Sequence, residues 1–307
     1  SVRLFVLWTT LPSIVLVLLA DILQGANEEA ALISGNLAPE PITAIDLFAG
    51  AMMPGMMLLC MFILFIYIYA KIYPLSCPPI ETTRSRLEIY IEAFKNVLPP
   101  LILILLVLGS ILLGIATPTE SASVGAAGAS LLAFAKGELT FKNLKDVSFN
   151  TVKLSSFVFV ILIGASMFSL VFRGFNGDEL IEHVLGGLPG GQVGALIIVM
   201  LAIFVLGFFL DYIEIIFVIV PLVGPVLIAN GADPLWLGIM ISLNLQTSFL
   251  TPPFGFSLFF LRGVAPPEIQ TKNIYRGVIP YIGIQVIAII VVGFIPEIAT
   301  WLPRKIF

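Results

Sequence analysis

Charge is what this sequence has least of. Only 11% of its 307 residues are Asp, Glu, Lys or Arg, against about a quarter in soluble domains. No polar stretch is long enough to form a soluble domain beside the apolar runs. Cysteine is almost absent too. Cys60 and Cys77 lack metal-like spacing and read as free thiols in or beside a span. The single histidine, His183, has Glu179 and Glu182 nearby but no nucleophile or second histidine. No hydrolase is read from it, and the chain reads as no enzyme. No basic, aromatic-interleaved patch suggests a nucleic acid partner. A charged leader with a small-residue cleavage site is missing as well, which excludes a signal peptide at Ser1. The chain starts without methionine inside an apolar run, as a sequence whose beginning is missing would.

What fills the sequence instead is hydrocarbon. It is 59% hydrophobic, with mean hydropathy +1.09, the composition of an all-α polytopic membrane protein. Apolar runs are read from Leu4 to Leu23, Ile45 to Tyr73, Val97 to Ile115, Ser121 to Ala135, Leu154 to Phe172, Val193 to Leu210, Ile213 to Ile228 and Gly277 to Ile295. Gln24 to Pro41, with Glu28, Glu29 and Glu40, reads as a polar outer loop. Lys71, Arg84, Arg86 and Lys95 place the next connection in the cytoplasm, with Leu87 to Phe94 as a short interfacial helix. Lys136, Lys142, Lys145 and Lys153 form a second basic stretch. The pair of segments between the two therefore enters and leaves on one side, as a re-entrant hairpin or as two full spans. Asp178, Glu179, Glu182 and His183 mark an acidic, Gly-rich outer loop. Arg304 and Lys305 put the C-terminus in the cytoplasm.

Two segments are interrupted. In Leu243 to Arg262, Pro252-Pro253 forbids a continuous helix, and in lipid the freed carbonyls need partners other than water. Thr251 suits an N-cap and Pro252 the first turn of a new helix. Thr117-Pro118-Thr119-Glu120 reads as a capping box, with Glu120 reaching back to the cap as a structural group. Ser121, Ser123, Gly125 and Gly128 come next, small enough for close helix approach in lipid. Each helix N-terminus carries roughly +0.5 of an elementary charge and favours a carboxylate. Thr117, Thr119, Ser121, Thr251 and Gly255 are the substrate-side candidates.

The carbonyls before each break, around Gly114 to Ala116 and Ser248 to Leu250, suit a hard cation such as sodium. Asp211 and Glu214 share a helical face, and ionisable groups at membrane depth are usually functional. Gly114, Ala116, Asp211, Asn244, Thr247 and Ser248 form the sodium-side set, with Gln246 beside them. Helix–helix hydrogen bonding is the bland alternative for each polar residue. N-termini toward the anion and carbonyls toward the cation is the recurring plan of secondary transporters.

An internal repeat is also visible. Thr10-Leu11-Pro12-Ser13 parallels Thr251-Pro252-Pro253-Phe254, and Phe48-Ala-Gly50 to Pro54 parallels Tyr275-Arg-Gly277 to Pro280. The chain then divides into the tail of a first repeat (1–41), a scaffold span and interfacial helix (42–95), a second repeat (96–296) with broken hairpins near 97–135 and 235–264, and a C-terminal tail (297–307). By repeat symmetry about 130–150 residues are expected before Ser1.

Ala116-Thr-Pro-Thr-Glu-Ser-Ala-Ser-Val-Gly125 and Asn244-Leu-Gln-Thr-Ser-Phe-Leu-Thr-Pro-Pro-Phe-Gly255 resemble the two hairpin signatures of the large membrane subunit of tripartite ATP-independent periplasmic (TRAP) transporters. Gly207-Phe-Phe-Leu-Asp211 and Gly231-Ala-Asp-Pro234 fit in order and spacing. The resemblance covers the chain from Pro12 onward. It implies an elevator-type, sodium-coupled importer of an organic acid in a bacterial inner membrane. Sodium would be the coupling ion, with no other cofactor. A small four-helix membrane subunit and a periplasmic substrate-binding protein would be its partners. Two departures stand out: the first repeat's own hairpin is absent, and Leu11 stands where the family has the first of two prolines. A non-transporting membrane subunit, its broken helices kept only as structure, is the competing reading.

Overall fold

A computed structural model describes residues 13–35, 39–74, 85–252, 255, 257–258, 261–262, 265 and 269–306. The break expected at Pro12, and Cys77, Arg84 and Pro253, lie outside them. The described residues form helices and no strand. They are α1 (Ser13–Ser34), α2 (Ala44–Ile72), α3 (Arg86–Leu112), α4 (Pro118–Ala135), α5 (Phe141–Gly174), α6 (Gly177–Gly186), α7 (Gly191–Leu206), α8 (Tyr212–Ala229), α9 (Pro234–Leu250), α10 (Thr271–Phe294) and α11 (Glu297–Ile306). Within α8, Ile215–Ile219 is wound as a π-helix. Among the described residues α2, α3 from Leu87, α5, α8 and α10 are long and apolar enough to cross a membrane, and α6 with α7, bent by 117°, is a further candidate as one broken span. The chain is an all-α, multi-pass membrane protein.

It divides into two units. The first holds the residues up to Leu64 and from Val158 onward, the second Phe65–Phe157, so the boundaries fall inside α2 and α5. The first unit is built around α9. Thirteen of its 17 residues are buried, so it has no lipid-facing side. Its neighbours meet it at small residues or at single polar locks. A side chain at Gly238 would run into Leu23 of α1 and Leu47 of α2, and one at Gly50 into Ala299 O of α11. Trp236 Nε1 donates to Val292 O of α10 at 2.8 Å, and Asn244 Nδ2 to Met200 O of α7 at 2.7 Å. Pro54 and Pro280 both lie inside helices, α2 and α10, and these two helices pack antiparallel, with Leu58 and Phe62 against Ala288 and Tyr281.

In the second unit α3 and α4 form an antiparallel hairpin around residues 113–117. Ser110 Oγ and Ser121 Oγ lie 2.9 Å apart. Side chains at Gly125 and Gly128 would press on Val107 and Leu103. Small residues at 121, 125 and 128 thus let the two arms close, as packing in lipid requires.

Four loop expectations are corrected. Gln24 to Pro41 is not a loop over its first half, since α1 continues to Ser34. Its alanines and leucines form a buried row, Leu16, Leu19, Ala20, Leu23, Ala26, Ala30, the i, i+3, i+4 pattern of a helix face, and Gly224 of α8 lies against Ala26. Leu87 to Phe94 is not a separate interfacial helix but the start of α3, which runs through Pro99 and Pro100. Membrane helices tolerate such prolines when the freed groups find other partners. The basic stretch after Ala135 is mostly helix as well. The 34 residues of α5 span about 51 Å at 1.5 Å each, longer than the roughly 30 Å hydrocarbon core, so its lysine-bearing turns extend past the lipid tails. The acidic stretch around His183 is α6, ten residues long.

Candidate functional site

The polar turn of the second unit closes its own helix ends. At the end of α3, Ile115 N donates to Ser110 O and Gly114 N to Ile111 O, both at 3.0 Å, with Gly114 at φ +66°. This is a Schellman closure, which needs a left-handed residue where glycine stands. Among the described residues no backbone N–H is directed at the carbonyls of Gly114, Ile115 or Ala116. Thr117 caps α4: Glu120 N donates to Thr117 Oγ1 at 3.3 Å, and Thr117 N to Glu120 Oε2 at 2.8 Å. Thr119 and Glu120 are exposed. Ser121 is fully buried. Since Ser110 gives its proton to Val107 O, the Ser121 hydroxyl is the donor in the Ser110 bond, and it ties the hairpin together.

A second polar region belongs to the first unit. α7 stops at Leu206 and α8 starts at Tyr212. Between them, Phe208 N and Leu210 N bond back to Val205 O and Leu206 O. The carbonyls of Gly207, Phe208 and Leu210 accept no backbone hydrogen bond among the described residues. Asp211 caps α8, with Glu214 reaching back to it at 3.3 Å and Tyr212 N bonded to Asp211 Oδ1 at 2.7 Å. Both acids are half-buried. The π-helical stretch immediately after them is a device found often at functional sites.

This interruption lies along the C-terminal end of α9. A side chain at Gly207 would place its Cβ 2.3 Å from Ser248 Oγ, and Tyr212 and Phe249 rings stand 5.7 Å apart. The hydroxyls there are oriented alike. Thr247 donates to Leu243 O at 2.7 Å, Ser248 to Leu245 O and Thr251 to Thr247 O, both at 2.8 Å. A hydroxyl has one proton, so what these groups can offer a ligand is oxygen lone pairs.

Thr251 ends α9: its side chain donates to Thr247 O, and its carbonyl accepts Gly255 N at 3.2 Å, the bond an N-cap carbonyl receives from the turn that follows. The amides that its side chain would cap, at 253 and 254, lie outside the described residues. Gly255 is buried so close to the end of α9 that a Cβ would stand 2.4 Å from Phe249 O.

The sequence candidates therefore fall into two groups. Gly114, Ala116, Thr117, Thr119, Glu120 and Ser121 share the turn of the second unit. Thr247, Ser248, Thr251 and Gly255 share the α9 end of the first, beside the interruption that carries Asp211, while Asn244 stands midway along α9 and is bonded to Met200 O of α7. The sequence puts Asp211 between two spans and among the sodium-side candidates, without showing that 207–211 is an open interruption beside α9. Its signal, Asp211 three residues before Glu214, has the same cap-to-acid spacing as Thr117 and Glu120. Among the described residues no cluster of three His, Cys, Asp or Glu is placed to hold a metal ion.

Helices interrupted at polar, self-capped breaks, in a chain made for lipid, define a multi-pass membrane protein of the discontinuous-helix class. Comparison with known proteins gives the family: the chain belongs to the tripartite ATP-independent periplasmic transporter, DctM component, family, whose model matches residues 36–298. It is 30% identical over 278 residues to a C4-dicarboxylate TRAP transporter large permease protein of Vibrio cholerae, covering 84% of this chain and 60% of that protein. It is 29% identical to an ectoine TRAP transporter large permease protein of Halomonas elongata, covering 84% of this chain and 59% of that protein. It is 25% identical to a sialic acid TRAP transporter large permease protein of Vibrio cholerae, covering 92% and 68%. The chain thus spans about 60% of the length of the first two relatives.

Proposed function

We propose that this chain carries part of the translocation pathway of a TRAP-type permease, importing an organic acid together with sodium across a bacterial inner membrane. Its partners are a small membrane subunit and a periplasmic substrate-binding protein, and the transport-carrying part moves against a scaffold as an elevator. The observation that carries the reading is the oxygen-lined interruption at 207–211. Carbonyls of Gly207, Phe208 and Leu210 without a backbone donor among the described residues lie there with the Asp211 carboxylate, beside α9 and its proton-spent Ser248 hydroxyl. A set of neutral and carboxylate oxygens with few free protons suits a small hard cation. The open N–H of Thr119 and the N-terminus of α4 suit a carboxylate, although Glu120 already lies at that end and repels a second negative charge.

The relatives' names give C4-dicarboxylate, ectoine and sialic acid, so membership alone does not choose the substrate. Uptake in proteoliposomes, with the binding protein and a sodium gradient, tests the reading. Asp211→Ala and Thr251→Ala are each expected to reduce sodium-driven uptake at least tenfold in the full-length protein. Undiminished uptake in both variants sinks the assignment. It leaves the competing reading, in which the caps exist only to finish helix ends in lipid.

A further inference from the structure

Four buried side-chain atoms have no hydrogen-bond partner among the described residues: Ser242 Oγ, Gln246 Nε2, and both Nε2 and Oε1 of Gln285. They are not scattered. Gln285 is 2% exposed and is the one polar member of the buried row of α10, Ile274, Val278, Gln285, Ala288, Val292. That row serves two neighbours. Val278 packs with Leu250 and Val292 O accepts Trp236, both of α9. Ala288 packs with Leu58 and Phe62 of α2. Gln285 lies between the two sets and so points into the groove shared by α2, α9 and α10.

The other two residues reach the same groove. α9 and α10 run antiparallel, Trp236 level with Val292 and Leu250 level with Val278, which puts Gln285 level with Leu243. Ser242 and Gln246 are one and three residues from that level, about 1.5 and 4.5 Å along the axis. On α9, Leu235 and Ile239 lie against Gly50 of α2. Ser242 and Gln246 continue that row at three and seven residues beyond Ile239, the spacing of one helix face. The groove is dry at Ile239 and Trp236 and becomes polar one turn later.

Bulk water does not reach this level. Gln285 stands about 21 Å from the start of α10 and about 14 Å from its end, near the middle of the hydrocarbon layer. An unmade amide bond there is costly, and native proteins rarely leave one. The donor set decides what fills the groove. Two amide N–H2 groups, one amide oxygen and one hydroxyl both donate and accept, and none is charged. An amide can turn either its oxygen or its N–H2 to a ligand, but no group here carries a charge to offset that of a buried ion. Water satisfies all four.

We propose that the groove between α2, α9 and α10 is an internal hydration site, holding about one or two water molecules on Gln285, Ser242 and Gln246. It lies inside the helix packing and apart from the interruption at 207–211. Gln246 is five residues before Thr251, about 7.5 Å of helix rise, so the water stands close to the broken end of α9.

X-ray hydroxyl-radical footprinting of the full-length protein in nanodiscs, with 18O-labelled water, tests this. Phe62, fully buried, and the half-buried Tyr281 border the groove, and both are expected to be oxidised, with Phe62 exchanging label slowly. Gln285→Leu is expected to cut that labelling at least threefold and to lower the melting temperature, because Ser242 and Gln246 lose their bridging partner. Phe62 unlabelled in the wild type, a reading independent of any variant's folding, overturns the site. A raised melting temperature in Gln285→Leu overturns it too, since it means that the amide was simply unsatisfied. A melting temperature that rises in sodium but not choline chloride, and loses that response in Gln285→Leu, replaces water with a cation.

Discussion

An acid three residues after a cap residue recurs four times among the described residues. Ser85 with Glu88, Thr117 with Glu120 and Asp211 with Glu214 all form reciprocal caps, and Thr43 with Asp46 does the same with a shorter acid. In water a capping box is one convenience among several. Where the first turn of a helix lies in lipid it has no solvent to bond, and there the acid supplies acceptors for N–H groups that would otherwise be stranded. The same carboxylates sit where a helix dipole attracts anions, and this is why a functional and a purely structural reading meet at Glu120. Glycine acts at this scale through contact rather than freedom. Gly207 meets Ser248 with no room for a methyl. Gly207→Ala is expected to cost about 1–3 kcal/mol through overpacking, measured as a lower melting temperature. Ser248→Gly should recover most of it, and Ser248→Ala little, because the Ser248 Cβ itself is only 2.8 Å from the added methyl. Additive losses in the Gly207→Ala, Ser248→Gly double variant would show that the two positions do not touch.

At the scale of elements, the α3–α4 hairpin is zipped by small residues on a single row of α4. Ser110→Cys with Ser121→Cys, in a background lacking Cys60 and Cys77, is expected to form a disulfide under mild oxidation, because hydroxyls 2.9 Å apart show that the two side chains point at each other and bring their Cβ atoms near the separation of roughly 3.5–4.5 Å that the bond requires. Adding Gly128→Val should reduce the yield, since a side chain there meets Leu103 at 2.3 Å. No cross-link in the double-cysteine variant, read by mass shift after trypsin, contradicts the register. α9 works differently: buried on every side, it is held by Trp236 at one end and Asn244 midway, and it ends in serine and threonine hydroxyls turned back on their own carbonyls. α9 is therefore the element whose displacement would move both the interruption at 207–211 and the groove at Gln285.

For the whole molecule, charge placement sets the orientation. Lysines at 71, 95, 136, 142 and 145 lie around the segments of the second unit, and the positive-inside rule predicts the cytoplasmic side for them. Single cysteines at 85 and 142 are expected to react with membrane-impermeant maleimide only after the membrane is opened or inverted, and a cysteine at 182 in intact spheroplasts. Labelling of 85 and 142 from opposite sides would mean that only one of α3 and α4 crosses the membrane, and would contradict the antiparallel hairpin. Arg173, at the end of α5, pairs with Glu29 of α1 at 2.6 Å and with Asp178 at 3.6 Å. This cluster joins three helix ends within the first unit. It is half-exposed, and such pairs contribute little stability, so it orients the ends more than it holds them.

Composition and spacing alone determined that this chain lives in lipid, that it is helical, and that its helices break at Thr117-Pro118 and near Pro252. These properties depend on local chemistry, because hydrophobicity selects the solvent and proline removes a donor wherever it stands. The capping box at Thr117 and the small-residue row behind it were legible for the same reason. Helix extent was not. Polar residues in Gln24 to Ser34 and lysines in 142–153 read as loops, whereas alanine periodicity and chain length carried both helices onward. Only the tertiary structure decided that the Asp211 interruption lies beside Ser248, that Thr251 closes α9, and that Gln285 and Ser242 face one groove. Those facts depend on which helices are neighbours, and neighbours are chosen by shape, such as a glycine at 50, 207 or 238 that lets one backbone approach another. A single chain of letters does not record that geometry.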